Sequence, residues 1–75
     1  MRELIEYIAK MLVEDPMQVQ VSEQTGQGTV HLELRVGDED MGRVIGRSGR
    51  VANAMRTVLR VAAARRGIRA TLDIP

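Results

Sequence analysis

Cysteine, tryptophan and phenylalanine are absent from the 75 residues, and Tyr7 is the only aromatic side chain. Without cysteine there is no disulfide staple, no thiolate zinc site and no cysteine nucleophile. A single histidine, His31, cannot build a metal site alone. One aromatic ring also excludes a mode of nucleic-acid binding in which successive bases stack on aromatic platforms. No apolar stretch approaches the roughly 20 residues that span a bilayer. The N-terminus lacks the basic-then-apolar layout of a signal peptide. These absences together predict a cytoplasmic protein with no membrane partner, no metal and no cofactor. An enzyme is not expected either, because no nucleophile, base and orienting acid stand in a recognisable set.

The residues present suffice for one small core. Hydrophobic residues make up 44% of the chain, too many for a disordered one. A chain of this size buries only about 60% of its unfolded surface, so residues 1–75 are expected to form a single domain. Little stability is left to spare in such a core.

The net charge of +1 hides a strong asymmetry. Residues 1–40 carry three basic residues against nine acids, a balance of −6. Residues 41–75 carry eight arginines against Asp73 alone, a balance of +7. One reading is a positive face aimed at a polyanion; the other is two halves that neutralise each other in the fold. All eight basic residues of the second half are arginine. The planar guanidinium fork matches phosphate in a way lysine does not, although a GC-rich genome would produce the same bias.

Periodicity places the elements. Leu4, Ile5, Ile8, Met11 and Leu12 recur at helical spacing within residues 3–14, with Glu3, Glu6, Lys10 and Glu14 on the other side, and Pro16 ends the run. Val19 and Val21 alternate with polar residues. After the connection Thr25-Gly26-Gln27-Gly28 the alternation resumes in Val30, Leu32, Leu34 and Val36, which predicts a hairpin with one wet face that includes His31. Asp38 is a candidate cap for a short helix over about Glu39–Ile45, with the neighbouring acids solvated at the helix end. A longer helix is expected from Ser48 or Arg50 to about Arg65, with Val51, Met55, Val58, Leu59 and Ala62 as its core stripe. Gly67 ends it, and Ile68, Ala70, Leu72 and Ile74 alternate as a last strand. Most methionines are expected to fill the core.

Only Gly46-Arg47-Ser48-Gly49 separates the two later helices. Glycine opens backbone angles closed to other residues and removes side chains that would hold a ligand away. The helix that follows offers free N–H groups and the positive end of its dipole. Phosphate contact is one use of such a loop, and a plain helix–helix turn is the other. A nucleotide-binding P-loop does not fit. Gly37 and Gly42 have the right separation, but Arg43-Val44 stands where Lys-Ser/Thr is required.

The segment Val44-Ile45-Gly46-Arg47-Ser48-Gly49-Arg50, followed by a helix with Met55, resembles the KH-domain signature of two aliphatics and then G-x-x-G between two helices. The order α-β-β-α-α-β resembles the type II, prokaryotic arrangement, and the length is similar to that of the small bacterial single-KH proteins of the KhpA family. The resemblance covers essentially the whole chain. It implies an α+β fold, a three-stranded sheet packed against three helices. It also implies a non-catalytic binder of single-stranded RNA, an RNA chaperone or post-transcriptional regulator. In that family pattern the loop clamps the backbone of roughly four nucleotides. The backbone contacts would be Gly46, Arg47, Ser48, Gly49 and Arg50. An apolar groove for the bases would have Val44, Ile45 and Val51 on one side and Ile68, Arg69 and Ala70 on the other, with Arg43, Arg65 and Arg66 at its rim. The resemblance further implies self-association and pairing with a larger KhpB-like KH protein. The alternative is a KH-fold protein-interaction module in which RNA is incidental. Without aromatic stacking, binding by one domain is expected to be micromolar or weaker, about −8 kcal/mol at best.

Overall fold

The computed structural model describes residues 1–75. Helix α1 runs Arg2–Leu12 and ends in the extended residue Val13, ahead of Pro16. A 3-10 turn at Pro16–Gln18 follows, capped by the Asp15 side chain, which accepts from the Met17 N–H. Strands β1 (Gln20–Gly26) and β2 (Thr29–Arg35) form an antiparallel hairpin. A 3-10 turn at Asp38–Asp40 leads into the short helix α2 (Met41–Ile45). Helix α3 (Arg50–Arg65) and strand β3 (Arg69–Asp73) complete the chain. The α-β-β-α-α-β order and the α+β class agree with the sequence reading.

The sheet order is β1-β2-β3, with β3 parallel to β2. Parallel pairing requires a crossover, and α2, the loop and α3 supply it. Val30, Leu32, Leu34, Ala70 and Leu72 point to the helical side and are buried. His31, Arg35, Arg69, Thr71 and Asp73 point the other way and are exposed, so one sheet face is uncovered. His31 lies on that face, as its alternation predicts, hydrogen-bonded to Thr71 Oγ1 across the strands.

The hairpin connection is shorter than the composition suggests. Gly26 pairs with Thr29, so only Gln27 and Gly28 turn the chain, with Gly28 at φ 69°. Pairing recruits Thr25 and Gly26 into β1 because each ladder bond satisfies backbone groups that a loop would leave to water.

The helix stripes are rotated from the expected ones. In α1 the buried residues are Ile5 and Ala9, while Met11 is 69% exposed. The apolar residues of α1 span a wider arc than one contact face covers, so the packing selects the side centred on Ile5. In α3 the buried stripe is Ala52, Met55, Leu59 and Ala63, and Val58 is left 45% exposed. Small side chains at 52 and 63 let the helix lie close to the sheet, which turns Val58 and Val61 outward. Of the methionines, Met55 fills the core, whereas Met11 and Met17 are exposed.

Helix α3 ends in a Schellman motif. The N–H of Ile68 donates to Ala63 O at 3.0 Å and that of Gly67 to Ala64 O at 3.0 Å, with Gly67 left-handed at φ 70°. This stop delivers Ile68 and Arg69 directly into β3, whose first N–H donates to Gly28 O at 2.8 Å.

Candidate nucleic-acid interface

The loop is held in place by a buried carboxylate that sequence reading assigned to a solvated helix end. Asp40 is only 3% exposed. Its Oδ1 accepts the N–H of Glu14 and its Oδ2 that of Asp15, both at 3.1 Å, and Arg43 donates to Oδ1 at 3.0 Å. These N–H groups, with the Arg43 guanidinium, hold the Asp40 carboxyl below its ordinary 3.8 against the opposing effect of burial. The latch ties the chain after α1 to the start of α2, and α2 carries the loop. It also consumes Arg43, which pairs with Glu14 as well. Arg43 therefore sits beside carboxylates at the first turn of α2, not as a free charge at a groove rim.

The loop itself has a backbone that ordinary residues resist. Gly46 has φ 75° and ψ 172°, a region essentially restricted to glycine. A Cβ there would lie 2.5 Å from Val51 Cγ2 and 2.9 Å from the Val51 backbone nitrogen. Ser48 follows at φ 57°, the only non-glycine residue with positive φ, and Gly49 at φ 77°. Gly49 is less constrained in space, since its nearest neighbour, Asn53 Nδ2, would be 3.7 Å from an added Cβ. The N–H of Gly46 and of Gly49 are used inside the fold, to Gly42 O and Gly46 O. The first turn of α3 has Gly49 as its cap and receives no side-chain hydrogen bond. Its first N–H, that of Arg50, donates to Arg47 O, so the donors that could meet solvent or an anion are those beyond it.

Arginines frame this terminus. Of the eight after residue 40, Arg43 alone forms a salt bridge, and Arg56 hydrogen-bonds to the Leu72 carbonyl and to Asn53. Arg47, Arg50, Arg60, Arg65, Arg66 and Arg69 are exposed and have no carboxylate within pairing distance. The acidic and basic halves thus do not neutralise each other across the fold, apart from Arg43. Arg47 and Arg50 are at the loop.

From Gly49 a stripe runs along α3 at helical spacing through Asn53, Arg56, Arg60 and Ala63 toward Gly67, beside β3. Between α3 and β3 lie two small cavities. One, of about 280 Å³, is lined by Arg60, Ala63, Ile68, Arg69, Ala70 and Thr71. The other, of about 90 Å³, is lined by Arg56, Leu59, Arg60 and residues 70–72. β3 pairs only with β2, so the seam follows a free strand edge. Ile68, Arg69 and Ala70 meet here, in the larger of the two cavities. Val44, Ile45 and Val51 do not line these cavities. Val44 is fully buried in the core, while Ile45 and Val51 are half-buried where α2 meets α3. Arg65 and Arg66 stand exposed at the end of α3.

Sequence reading did not assign Arg56 and Arg60 to the site. Their four-residue spacing, in phase with Gly49 and Asn53, is a signal that places them on the loop's side of α3. Larger cavities exist elsewhere. One of about 340 Å³ is lined by Glu14, Asp15, Asp38, Glu39 and Asp40 against Arg43 as its one cation, an environment that repels phosphate. Another of about 440 Å³ lies near Met17, Val36, Met41 and Pro75, and its arginine, Arg35, pairs with Glu33. No helix is long and apolar enough to cross a membrane, and no three His, Cys, Asp or Glu side chains are grouped to hold a metal ion.

Comparison with known proteins identifies the family. The family model for the KH domain of KhpA/KhpB matches residues 2–74. The RNA-binding protein KhpA of Clostridium acetobutylicum is 51% identical over 74 residues, covering 99% of each chain. Its namesake in Treponema pallidum is 47% identical over 72 residues, covering 96% of this chain and 90% of the relative. In Aquifex aeolicus the protein of that name is 40% identical, covering 99% and 94%. No solved structure matches. With a family match across nearly every residue, relatives of similar length at 40–51% identity and the type II element order, the chain belongs to the KhpA/KhpB family of KH domains.

Proposed function

We propose that this chain is a cytoplasmic, non-catalytic KH domain that binds single-stranded RNA, its phosphates held at Gly46–Gly49 and its bases laid along the seam between α3 and β3. The observation that carries the reading is the loop with the uncapped α3 terminus behind it, flanked by the unpaired Arg47 and Arg50. The names of the relatives, all RNA-binding proteins, point the same way. Backbone contact comes first in such a site, because phosphates are common to every sequence. Ile45 and Val51 border the loop end, and the Val44 side chain supports them from within the core. Arg65 and Arg66 are placed to attract the strand at the far end of α3. An RNA chaperone or post-transcriptional regulator is the role that a weak, exchangeable grip suits.

The deciding experiment is RNA binding by the wild type and by the Arg47→Asp/Ser48→Asp double variant, with circular dichroism on both. Both side chains are exposed and aspartate tolerates the left-handed backbone at 48, so the fold is expected to persist. Loss of RNA binding by a folded variant supports the loop assignment; undiminished binding refutes it. For the wild type, log affinity falls with log salt at about −0.7 per phosphate contact, near −2 for three contacts.

A second reading, a protein-interaction module, is favoured by apolar residues away from the loop. Tyr7 and Met11 on α1 and Val58 and Val61 on α3 are all exposed. Self-association or pairing with a KhpB-like protein would cover such side chains, and sedimentation of the wild type and a Val61→Lys variant tests it. A concentration-dependent dimer lost in the variant supports that contact; a wild type that stays monomeric removes the homodimer.

A further inference from the structure

We propose that Arg60 is the base-reading residue of the α3–β3 seam and selects bases that present two adjacent hydrogen-bond acceptors on one edge, guanine (O6 and N7) or cytosine (O2 and N3). The inference rests on the RNA-binding reading above and adds a base preference to it. Arg60 lines both cavities of the seam. Its neighbour Arg56 is already committed, with Nε donating to Leu72 O and a terminal nitrogen to Asn53, each at 3.1 Å. Arg60 has no hydrogen-bond or salt-bridge partner within the fold, so its whole donor fork is available. No carboxylate or carboxamide side chain lines either cavity, and the Thr71 hydroxyl already meets His31.

The larger cavity, about 280 Å³, falls just below the roughly 300–1,000 Å³ of sites that enclose drug-sized ligands, which suits one flat ring system. Ala63, Ile68 and Ala70 give it an apolar lining, so a base edge that enters loses water and must find its partners in the protein. A guanidinium offers two parallel N–H donors at fixed spacing, the match for paired acceptors on guanine. Adenine and uracil alternate donor and acceptor along every edge and cannot satisfy both. Lysine at this position would keep the charge and lose the fork.

The test uses the whole chain and seven-nucleotide oligouridine, alone or with one central guanine, cytosine or adenine, titrated against wild type and Arg60→Lys. The readout is the ratio of each dissociation constant to that of oligouridine, which cancels any general loss of affinity. The wild type is expected to prefer the guanine or cytosine oligomer about tenfold over oligouridine and over the adenine one. In Arg60→Lys the ratio is expected to fall to about one, with the melting temperature unchanged because the side chain is exposed. A 7-deazaguanine oligomer separates the two sources: loss of preference marks the guanine edge, and an intact cytosine preference marks the other. A wild type without preference overturns the proposal, and so does a preference that survives in Arg60→Lys. Absence of binding to every oligomer removes the RNA-binding reading and the proposal with it.

Discussion

The two glycines of the loop look equivalent in the sequence, yet alanine at each should have very different consequences. At Gly46 the backbone angles are accessible essentially to glycine alone, which costs about 1–3 kcal/mol for another residue. The new methyl group would also lie 2.5 Å from Val51 Cγ2, with Val51's own backbone nitrogen at 2.9 Å, so rotating the valine does not relieve the overlap. Together these give a loss of about 3 kcal/mol or more. Gly49 is left-handed but open, and alanine there costs about 1 kcal/mol. A domain of 75 residues has about 4–11 kcal/mol of stability in all. At about 4–8 °C per kcal/mol, Gly46→Ala should melt about 12–24 °C below wild type and Gly49→Ala about 4–8 °C below. Thermal unfolding followed at 222 nm measures both. Equal melting temperatures for the two variants would refute the steric argument and with it the claim that the fold itself requires glycine at 46.

Three further outcomes are expected. Leu59→Ala, at a fully buried position of α3, should lower stability by about 2–5 kcal/mol in urea titration. Because Asp40's carboxyl is held below its ordinary 3.8, its contribution to folding is complete at neutral pH and is lost as pH falls from about that value through the lowered folded one. Asp40→Asn should therefore be less stable than wild type at pH 7, and the gap should narrow on acidification through that window; a constant gap argues against the latch. Arg43→Ala should reduce stability by removing a partner of the buried carboxylate while leaving the RNA salt slope unchanged, since Arg43 faces Asp40 and Glu14 rather than the loop.

Much of the molecule was legible because it rests on neighbours close along the chain. A helix repeats every three or four residues and a strand every two, so Leu59 and Met55, or Leu32 and Leu34, reveal their element without any distant partner. The break between α2 and α3 is equally local, since glycines at 46 and 49 leave a continuous helix little room. The charge asymmetry, too, is a property of composition, and the free arginines follow from it because few acids share their half of the chain.

What required the folded chain depends on residues far apart in sequence. Asp40 looks like one more acid at a helix start; only the approach of Glu14 and Asp15, some 25 positions earlier, makes it a buried latch and takes Arg43 out of the basic face. The apolar arcs of α1 and α3 were visible, but which side of each arc is covered was settled by the sheet and helices they meet, and Met11 and Val58 were left outside. Thr25 and Gly26 became strand because β2 lay opposite to accept their hydrogen bonds. The seam that joins Arg60 to Ile68–Ala70 exists because α3 folds back along β3. Periodicity encodes what a segment can become; contacts between distant segments choose which of its faces is buried, which charges are paired and where a ligand can enter.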